Sequence, residues 1–205
     1  MDDSSDQGLH AAVLAAGAST RFGSPKQLVR IAGEPVLHQT VANAALVTGQ
    51  SVTVVIGANA REVAAALRQR AVSIALNRDW EEGISSSIRV AVRSAPPGSS
   101  ALLLMLADQV AVTADDLKRL HAAWRRHPIL ICAALHSGAP GLPAIFPRWA
   151  YTDLLDLRGD RDPRLVLRRN VDRVGRIPMQ NAAIDLDTPE DLLLIEPQTT
   201  PDGEP

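Results

Sequence analysis

Compact apolar runs alternate along the chain with longer stretches of helical period. Residues 10–15 (HAAVLA), 51–57 (SVTVVIG), 72–76 (VSIAL), 101–106 (ALLLML) and 129–134 (ILICAA) are such runs. Several are continuously apolar, which predicts strands covered on both faces. Between them, 36–48, 60–70, 85–95 and 113–127 predict helices. The last is the best punctuated. Thr113 and Asp116 have capping-box spacing, Leu117, Leu120 and Trp124 form an apolar stripe, and Pro128 stops the run after Arg125, Arg126 and His127. Strand–helix alternation predicts an α/β fold, a single Rossmann-like domain with a mainly parallel mixed sheet and helices on both faces.

After about residue 135 the pattern loosens. Pro140, Pro143 and Pro147 predict a loop-rich stretch, followed by short helices at 148–157 and 162–169. Short strands are expected near 174–177 and 182–186, and a capped helix from Thr188. This reads as an elaboration of the same sheet, giving one domain over 9–196. The ends, 1–8 and 197–205, lack periodicity and are expected to be disordered.

The 205-residue length suits one domain, and 21 Lys+Arg against 23 Asp+Glu leave a net charge of −2. That balance supplies no general attraction to nucleic acid or to an anionic membrane. With 3 Trp, 1 Tyr and 2 Phe, stacking platforms for bases are scarce. One cysteine excludes an internal disulfide and a cysteine-based metal site. The opening residues 1–6 (MDDSSD) are acidic, unlike a secretory leader, and no apolar run reaches the ~20 residues of a membrane span. A soluble cytoplasmic protein without nucleic-acid or membrane partners is the expectation.

Parallel sheets bind ligands beyond the carboxyl ends of their strands, so the loops there hold the candidate chemistry. After Leu14 come Ala15, Ala16 and Gly17, whose small side chains let backbone N–H groups approach an anion or a base. Arg21 and Lys26 then add two cations suited to a triphosphate. The spacing is neither the dinucleotide fingerprint nor the Walker A loop. In the second loop, Ser85, Ser86 and Ser87 at a helix start suit an anion or a polar ligand edge, and serve redundant capping equally well. Asp108 ends the apolar run 101–106, where it either faces the crevice or caps the next turn. Thr188, Pro189, Glu190 and Asp191 are accounted for as a helix start, which leaves Asp185 and Asp187 over; on a strand they would share one face.

Residues 14–26 (LAAGASTRFGSPK) closely resemble the signature L-A-A-G-x-S-x-R-x-G-x-x-K of nucleotidyltransferases with a glycosyltransferase-A-like fold. Within them the segment looks most like the molybdenum-cofactor branch, specifically the molybdopterin cytidylyltransferases. Residues 77–89 are similar to its N-x-x-W-x-x-G-[LIM]-S-S-S-[LI]-R, residues 106–110 to L-A-D-Q-P with Val110 for proline, and 185–191 to D-x-D-T-P-E-D. Two later blocks depart further. Gly141, Pro143 and Phe146 match G-x-P-x-x-F, with Leu142 where histidine is common. Gly159, Asp160 and Arg164 match L-x-G-D-x-G-A-R-x-L-L, with Asp162 and Pro163 replacing Gly-Ala.

The resemblance implies a nucleotide held by Leu14, Ala15, Ala16, Gly17, Asn77, Gly83, Ser85, Ser86 and Ser87. It implies Arg21 and Lys26 on the phosphates as catalytic cations, and Mg²⁺ on Asp108 and Asp185. Asp187 either supports Asp185 from behind or begins the cap. Gly141, Pro143, Asp160 and Arg164 would bind the acceptor. The implied activity is transfer of CMP from CTP to molybdopterin with release of pyrophosphate. CTP and molybdopterin-type substrates are the expected small-molecule partners, with a molybdoenzyme or its maturation chaperone downstream. Alternatives are a guanylyltransferase, a sugar- or polyol-phosphate nucleotidyltransferase, or a cofactor-binding chaperone without turnover. Ala16, where the guanylyl branch has glycine, tilts toward CTP, and retention of both cations and both carboxylates tilts toward an enzyme.

Overall fold

The computed structural model describes residues 8–20, 22–186 and 188–192. Arg21, Asp187 and, apart from Gly8, the expected tails lie outside the described residues. The first half comprises β1 (Leu9–Ala15), a short hairpin of β2 (Arg30–Ile31) and β3 (Glu34–Pro35), α1 (Val36–Thr48), β4 (Val52–Ile56), α2 (Ala60–Ala66), β5 (Ser73–Leu76), α3 (Ile84–Ser94) and β6 (Ala101–Leu106). The second comprises α4 (Ala114–Arg126), β7 (Ile131–His136), β8 (Ala139–Pro147), α5 (Tyr151–Leu155), α6 (Arg164–Arg169) and β9 (Val174–Pro178). Seven strands form one sheet in the order β5-β4-β1-β6-β8-β7-β9, in which β8 alone runs antiparallel. The expected single α/β domain with a mainly parallel sheet is what forms.

Strand periodicity divides the core into two layers. Ala11, Val13, Leu103 and Met105 pack with Leu37, Val41, Leu117 and Leu120 of α1 and α4. Their neighbours Ala12, Leu14, Leu102 and Leu104 pack with Ile88 and Val92 of α3, and with Leu154 and Val166. Leu102, Leu103 and Leu104 are each 1% exposed or less, and each such burial contributes about 1.5–3 kcal/mol before chain entropy is set against it. The expected capping box of α4 is present: the Asp116 amide donates to Thr113 Oγ1, and the Thr113 amide donates back to Asp116 Oδ2. No helix among the described residues is long and apolar enough to cross a membrane.

Two expectations for the second half are corrected. The loop expected around Pro140, Pro143 and Pro147 is the nine-residue strand β8, between β6 and β7. Pro140 and Pro147 sit within the ladders, opposite Leu135 and Ala101, whereas Pro143 is tolerated because the β7–β8 register breaks there. Ala133 pairs with Ala144 but Ala134 pairs with Gly141, so Leu142 and Pro143 bulge out of the ladder and Pro143 has no bond to donate. The strand expected at 182–186 is absent: a 3₁₀ turn, Gln180–Ala183, leads into irregular chain. There the fully buried side chains are Ala182 and Leu186, four residues apart rather than two, so the shared-face argument for Asp185 does not apply. At the expected helix start, the Thr188 amide and hydroxyl both donate to Asp191 Oδ2, and a 3₁₀ turn, Pro189–Asp191, leads into helix at Leu192; the rest of that expected helix lies outside the described residues.

Candidate active site

The carboxyl ends of β1 and β6 open on a cavity of about 410 Å³, walled by the first loop, the second loop, the tip of β6 and Asp160. That volume lies within the range of small-molecule sites, roughly 300–1,000 Å³. In the first loop, Ala16 and Gly17 line the cavity, as does Leu14 at the end of its strand. Ala15 instead packs in the core, its carbonyl accepting from Gln27 Nε2 at 3.1 Å. The same nitrogen holds the Gly17 carbonyl at 3.1 Å. Gln27 is therefore the buried strut that shapes the turn, and sequence reasoning missed it. A polar residue set into a 3₁₀ turn beside the cationic position was the available signal.

Lys26 begins that turn, Lys26–Leu28, with its amide on Ser19 Oγ at 3.2 Å. Its ammonium reaches across the cavity to Asp108 Oδ2 at 2.5 Å, with the two side chains 17% and 16% exposed. The structure thus joins two residues 82 positions apart in sequence (108 − 26). Arg21, the other expected cation, lies outside the described residues.

The second loop divides by role. Asn77 Nδ2 donates to both Ser86 Oγ at 2.8 Å and Ser87 Oγ at 2.9 Å. Ser86 Oγ in turn donates to the Gly83 carbonyl, while Ser85 is fully buried and donates to the Arg161 carbonyl at 2.9 Å. Of the three serines, Ser87 lines the cavity. Asn77, Ser85 and Ser86 brace the wall behind it. Gly83, at φ +108°, occupies backbone space that other residues avoid, and a Cβ there would lie 2.1 Å from Asp160 Oδ1. Glu82 was also missed. It grips Arg89 and accepts from the Gly159 amide at 3.2 Å; the Arg89 hydrogen bond first, then the Gly159 amide, holds its carboxyl below the usual range.

Of the expected acceptor residues, Asp160 lines this cavity. Gly141 and Arg164 meet elsewhere: a Cβ on Gly141 would lie 2.7 Å from His136 Nε2 and 3.2 Å from Arg164 Nε. Pro143 sits in the β8 bulge beside them. His136 is buried, and its ring nitrogens make no hydrogen bond of acceptable geometry. Burial, followed by the nearby Arg164 charge, holds its pKa below the ordinary imidazole value.

Asp108 and Asp185 are brought into one neighbourhood by the Leu186 amide, which donates to the Asp108 carbonyl at 3.0 Å. Among the described residues Asp108 Oδ1 is buried without a hydrogen-bond partner, an acceptor open to a cation, and Asp185 is exposed. Among the described residues no group of three or more metal-ligating side chains assembles. Two carboxylates nevertheless fit Mg²⁺ or Mn²⁺, hard cations that complete their coordination with water and phosphate oxygens.

The MobA-like NTP transferase domain matches residues 11–174. The bifunctional protein GlmU of Sorangium cellulosum (strain So ce56) is 36% identical over 127 residues, 58% of this chain and 26% of that protein. Nicotine blue oxidoreductase of Paenarthrobacter nicotinovorans is 35% identical over 127 residues, 61% of this chain and 60% of that protein. The chain therefore spans less than two thirds of either relative's length. Among solved structures, Rv0371c from Mycobacterium tuberculosis H37Rv superposes with TM-score 0.81 at 26% identity, covering 93% of this chain and 98% of that one. A manganese complex of Rv0371c superposes with TM-score 0.74 at 25% identity, covering 92% and 97%.

Proposed function

Because the chain belongs to the MobA-like NTP transferase family, and so is of nucleotidyltransferase type, we propose that it transfers CMP from CTP to a molybdopterin-type acceptor, releasing pyrophosphate with Mg²⁺ as its metal. One observation carries this reading: Lys26 and Asp108 are paired in a single cavity whose wall is the small-residue turn Ala16–Gly17. Such a site presents a cation, a carboxylate and close-approach backbone to one ligand, as a metal-bound triphosphate requires.

In the reaction, an acceptor phosphate oxygen attacks the α-phosphorus in line. The new P–O bond forms as the α–β bridging bond breaks, and the electron pair leaves on pyrophosphate. The acceptor's second phosphate pKa is about 6, so it arrives largely ionised and no protein base is needed. Lys26 exchanges Asp108 for the β- and γ-phosphates and neutralises charge as it builds on the leaving group. Arg21 is proposed to assist it. Leu14, Ala16, Gly17, Gly83 and Ser87 hold the nucleoside end, braced by Ala15, Asn77, Ser85 and Ser86. Asp108 and Asp185 would hold the metal, which supplies charge neutralisation to the phosphates. The acceptor approaches past Asp160 from the side of Gly141, Pro143 and Arg164.

Cytidine is favoured by the resemblance and by Ala16 in the cavity wall. A molybdoenzyme or its maturation chaperone would receive the product. The manganese bound in the Rv0371c complex supports a divalent ion here. The test is pyrophosphate release from each nucleoside triphosphate with molybdopterin, with and without Mg²⁺. CTP should have the highest kcat/KM, and only with the metal. Equal or better values with GTP overturn the cytidylyl assignment, and metal-independent turnover overturns the role of the two carboxylates.

A further inference from the structure

We propose that Gln109 is a positioning residue whose carboxamide fixes both the Asp185 segment and the acceptor strand against Asp108, and so sets the separation of the two metal-binding carboxylates. The proposal rests on reading Asp108 and Asp185 as metal ligands. Gln109 follows Asp108 directly, yet turns inward and is 4% exposed. Its Nε2 donates to the Leu142 carbonyl at 2.8 Å and to the Ala182 carbonyl at 2.9 Å. Both acceptors are carbonyl oxygens, which settles the amide's orientation: reversed, its own oxygen would face two others.

Leu142 needs this bond. The β6–β8 pairing runs from Ala101↔Pro147 to Leu104↔Ala144, and the β7–β8 pairing steps from Ala144 to Gly141, so neither ladder includes Leu142. Gln109 spans the gap where the sheet opens toward the acceptor side. Ala182 needs it for a different reason. The chain from Ala182 to Leu186 is attached twice to the tip of β6, by Gln109 at one end and by the Leu186 amide on the Asp108 carbonyl at the other. Asp185 lies between these anchors, on neither a helix nor a strand. Those two bonds and the fully buried Leu186 side chain tie it to Asp108. Gln109 Oε1 is buried with no hydrogen-bond partner among the described residues. Packing alone would be better served by an apolar side chain of the same length, which has no oxygen to desolvate. The donors account for the carboxamide.

Gln109→Met keeps the length and removes both donors, and Gln109→Asn keeps the donors but shortens their reach by one methylene. Mn²⁺ binding to the nucleotide-free protein, followed by electron paramagnetic resonance, gives a readout independent of turnover. Both variants should bind Mn²⁺ ~10–100-fold more weakly, with kcat falling by a similar factor, as for other groups that orient metal ligands. The KM for CTP should stay within about twofold, since the nucleotide wall is untouched. Amide exchange at Leu186 should speed up more than exchange in β1 and β6, with only a modest fall in the thermal midpoint from the two carbonyls left unpaired. Wild-type Mn²⁺ affinity and kcat in a folded variant overturn the proposal. So does a parallel loss of stability, CTP binding and turnover, which marks a merely structural residue. Asp108→Asn separates the two levels of argument. If it loses Mn²⁺ while Gln109→Met retains it, the positioning role alone fails; if it too retains Mn²⁺, the metal reading fails first.

Discussion

The nucleotide half of the molecule, from β1 to Gln109, and the acceptor half, from β8 to Leu186, are built by different means. In the first, parallel strands with continuous ladders place each loop, so Ala16 and Asp108 sit where strand ends put them. In the second, the functional segments hang on side chains borrowed from the first. Ser85 holds the Arg161 carbonyl, Arg89 the Leu157 carbonyl, Glu82 the Gly159 amide, and Gln109 both Leu142 and Ala182. These holding groups all precede residue 110, and Asn181 adds bonds to the Ala111 carbonyl and to Asp116. A disturbance of the nucleotide half should therefore reach the acceptor half, and the reverse should be weak.

The largest break comes at the shared corner. Asp108→Asn keeps size and removes the charge, and should cut turnover by about 10³-fold, the upper range for loss of one electrostatic contact, while circular dichroism stays native. Near-normal activity at saturating Mg²⁺ removes Asp108 from the metal site. Lys26→Ala should lower the maximal single-turnover rate about 10²-fold, with acceptor affinity unchanged, because the ammonium serves the leaving group and not the incoming phosphate. Loss of acceptor affinity with the rate preserved would move Lys26 to the other half.

Smaller effects sharpen the direction of dependence. Gly83→Ala forces a Cβ onto Asp160 Oδ1 at φ +108° and should cost about 1–3 kcal/mol of stability in backbone strain. Acceptor KM should rise more than CTP KM, although the substitution lies in the nucleotide half. A rise confined to CTP contradicts the borrowed-support account. Asp116 joins the α4 cap to Asn181, whose amide also reaches the Ala111 carbonyl at 2.7 Å. Burial works to raise its pKa, but hydrogen bonds from Asn181 and Thr113, with Arg119 nearby, leave it below the usual carboxylate value. A depressed folded-state pKa gives stability that is present above the unfolded pKa, about 3.9, and is lost as pH falls through the folded value. Asp116→Ala should therefore lose about 1 kcal/mol at pH 7, typical of a cap, with the gap to wild type narrowing as pH falls below about 4. A pH-independent gap would show that its charge contributes nothing.

This difference in construction also explains what the sequence reveals. The strands β1, β4 and β6 and the helices α1, α3 and α4 are legible because burial on the two faces repeats at fixed periods. The Lys26 and Asp108 loops are legible because strand ends bring them together. β8 is not, since three prolines mask a strand whose register break removes the need for one of their donors. The segment carrying Asp185 is not either, because long-range bonds through Asn181, Ala182 and Leu186 rather than local periodicity hold it. Gln27, Glu82 and Gln109 escaped for the same reason: their partners lie on main chain that a linear pattern does not bring near.

The most direct test follows the α-phosphate itself. CTP labelled at the α-phosphorus is incubated with Mg²⁺, molybdopterin and the wild-type protein, and the label is traced by chromatography and mass spectrometry. The expected result is label in a cytidylyl–acceptor product, formed in equal amount to unlabelled pyrophosphate, with neither product formed without acceptor. Label that stays in CTP, or appears only as free CMP whether or not acceptor is present, contradicts nucleotidyl transfer to that acceptor at this site.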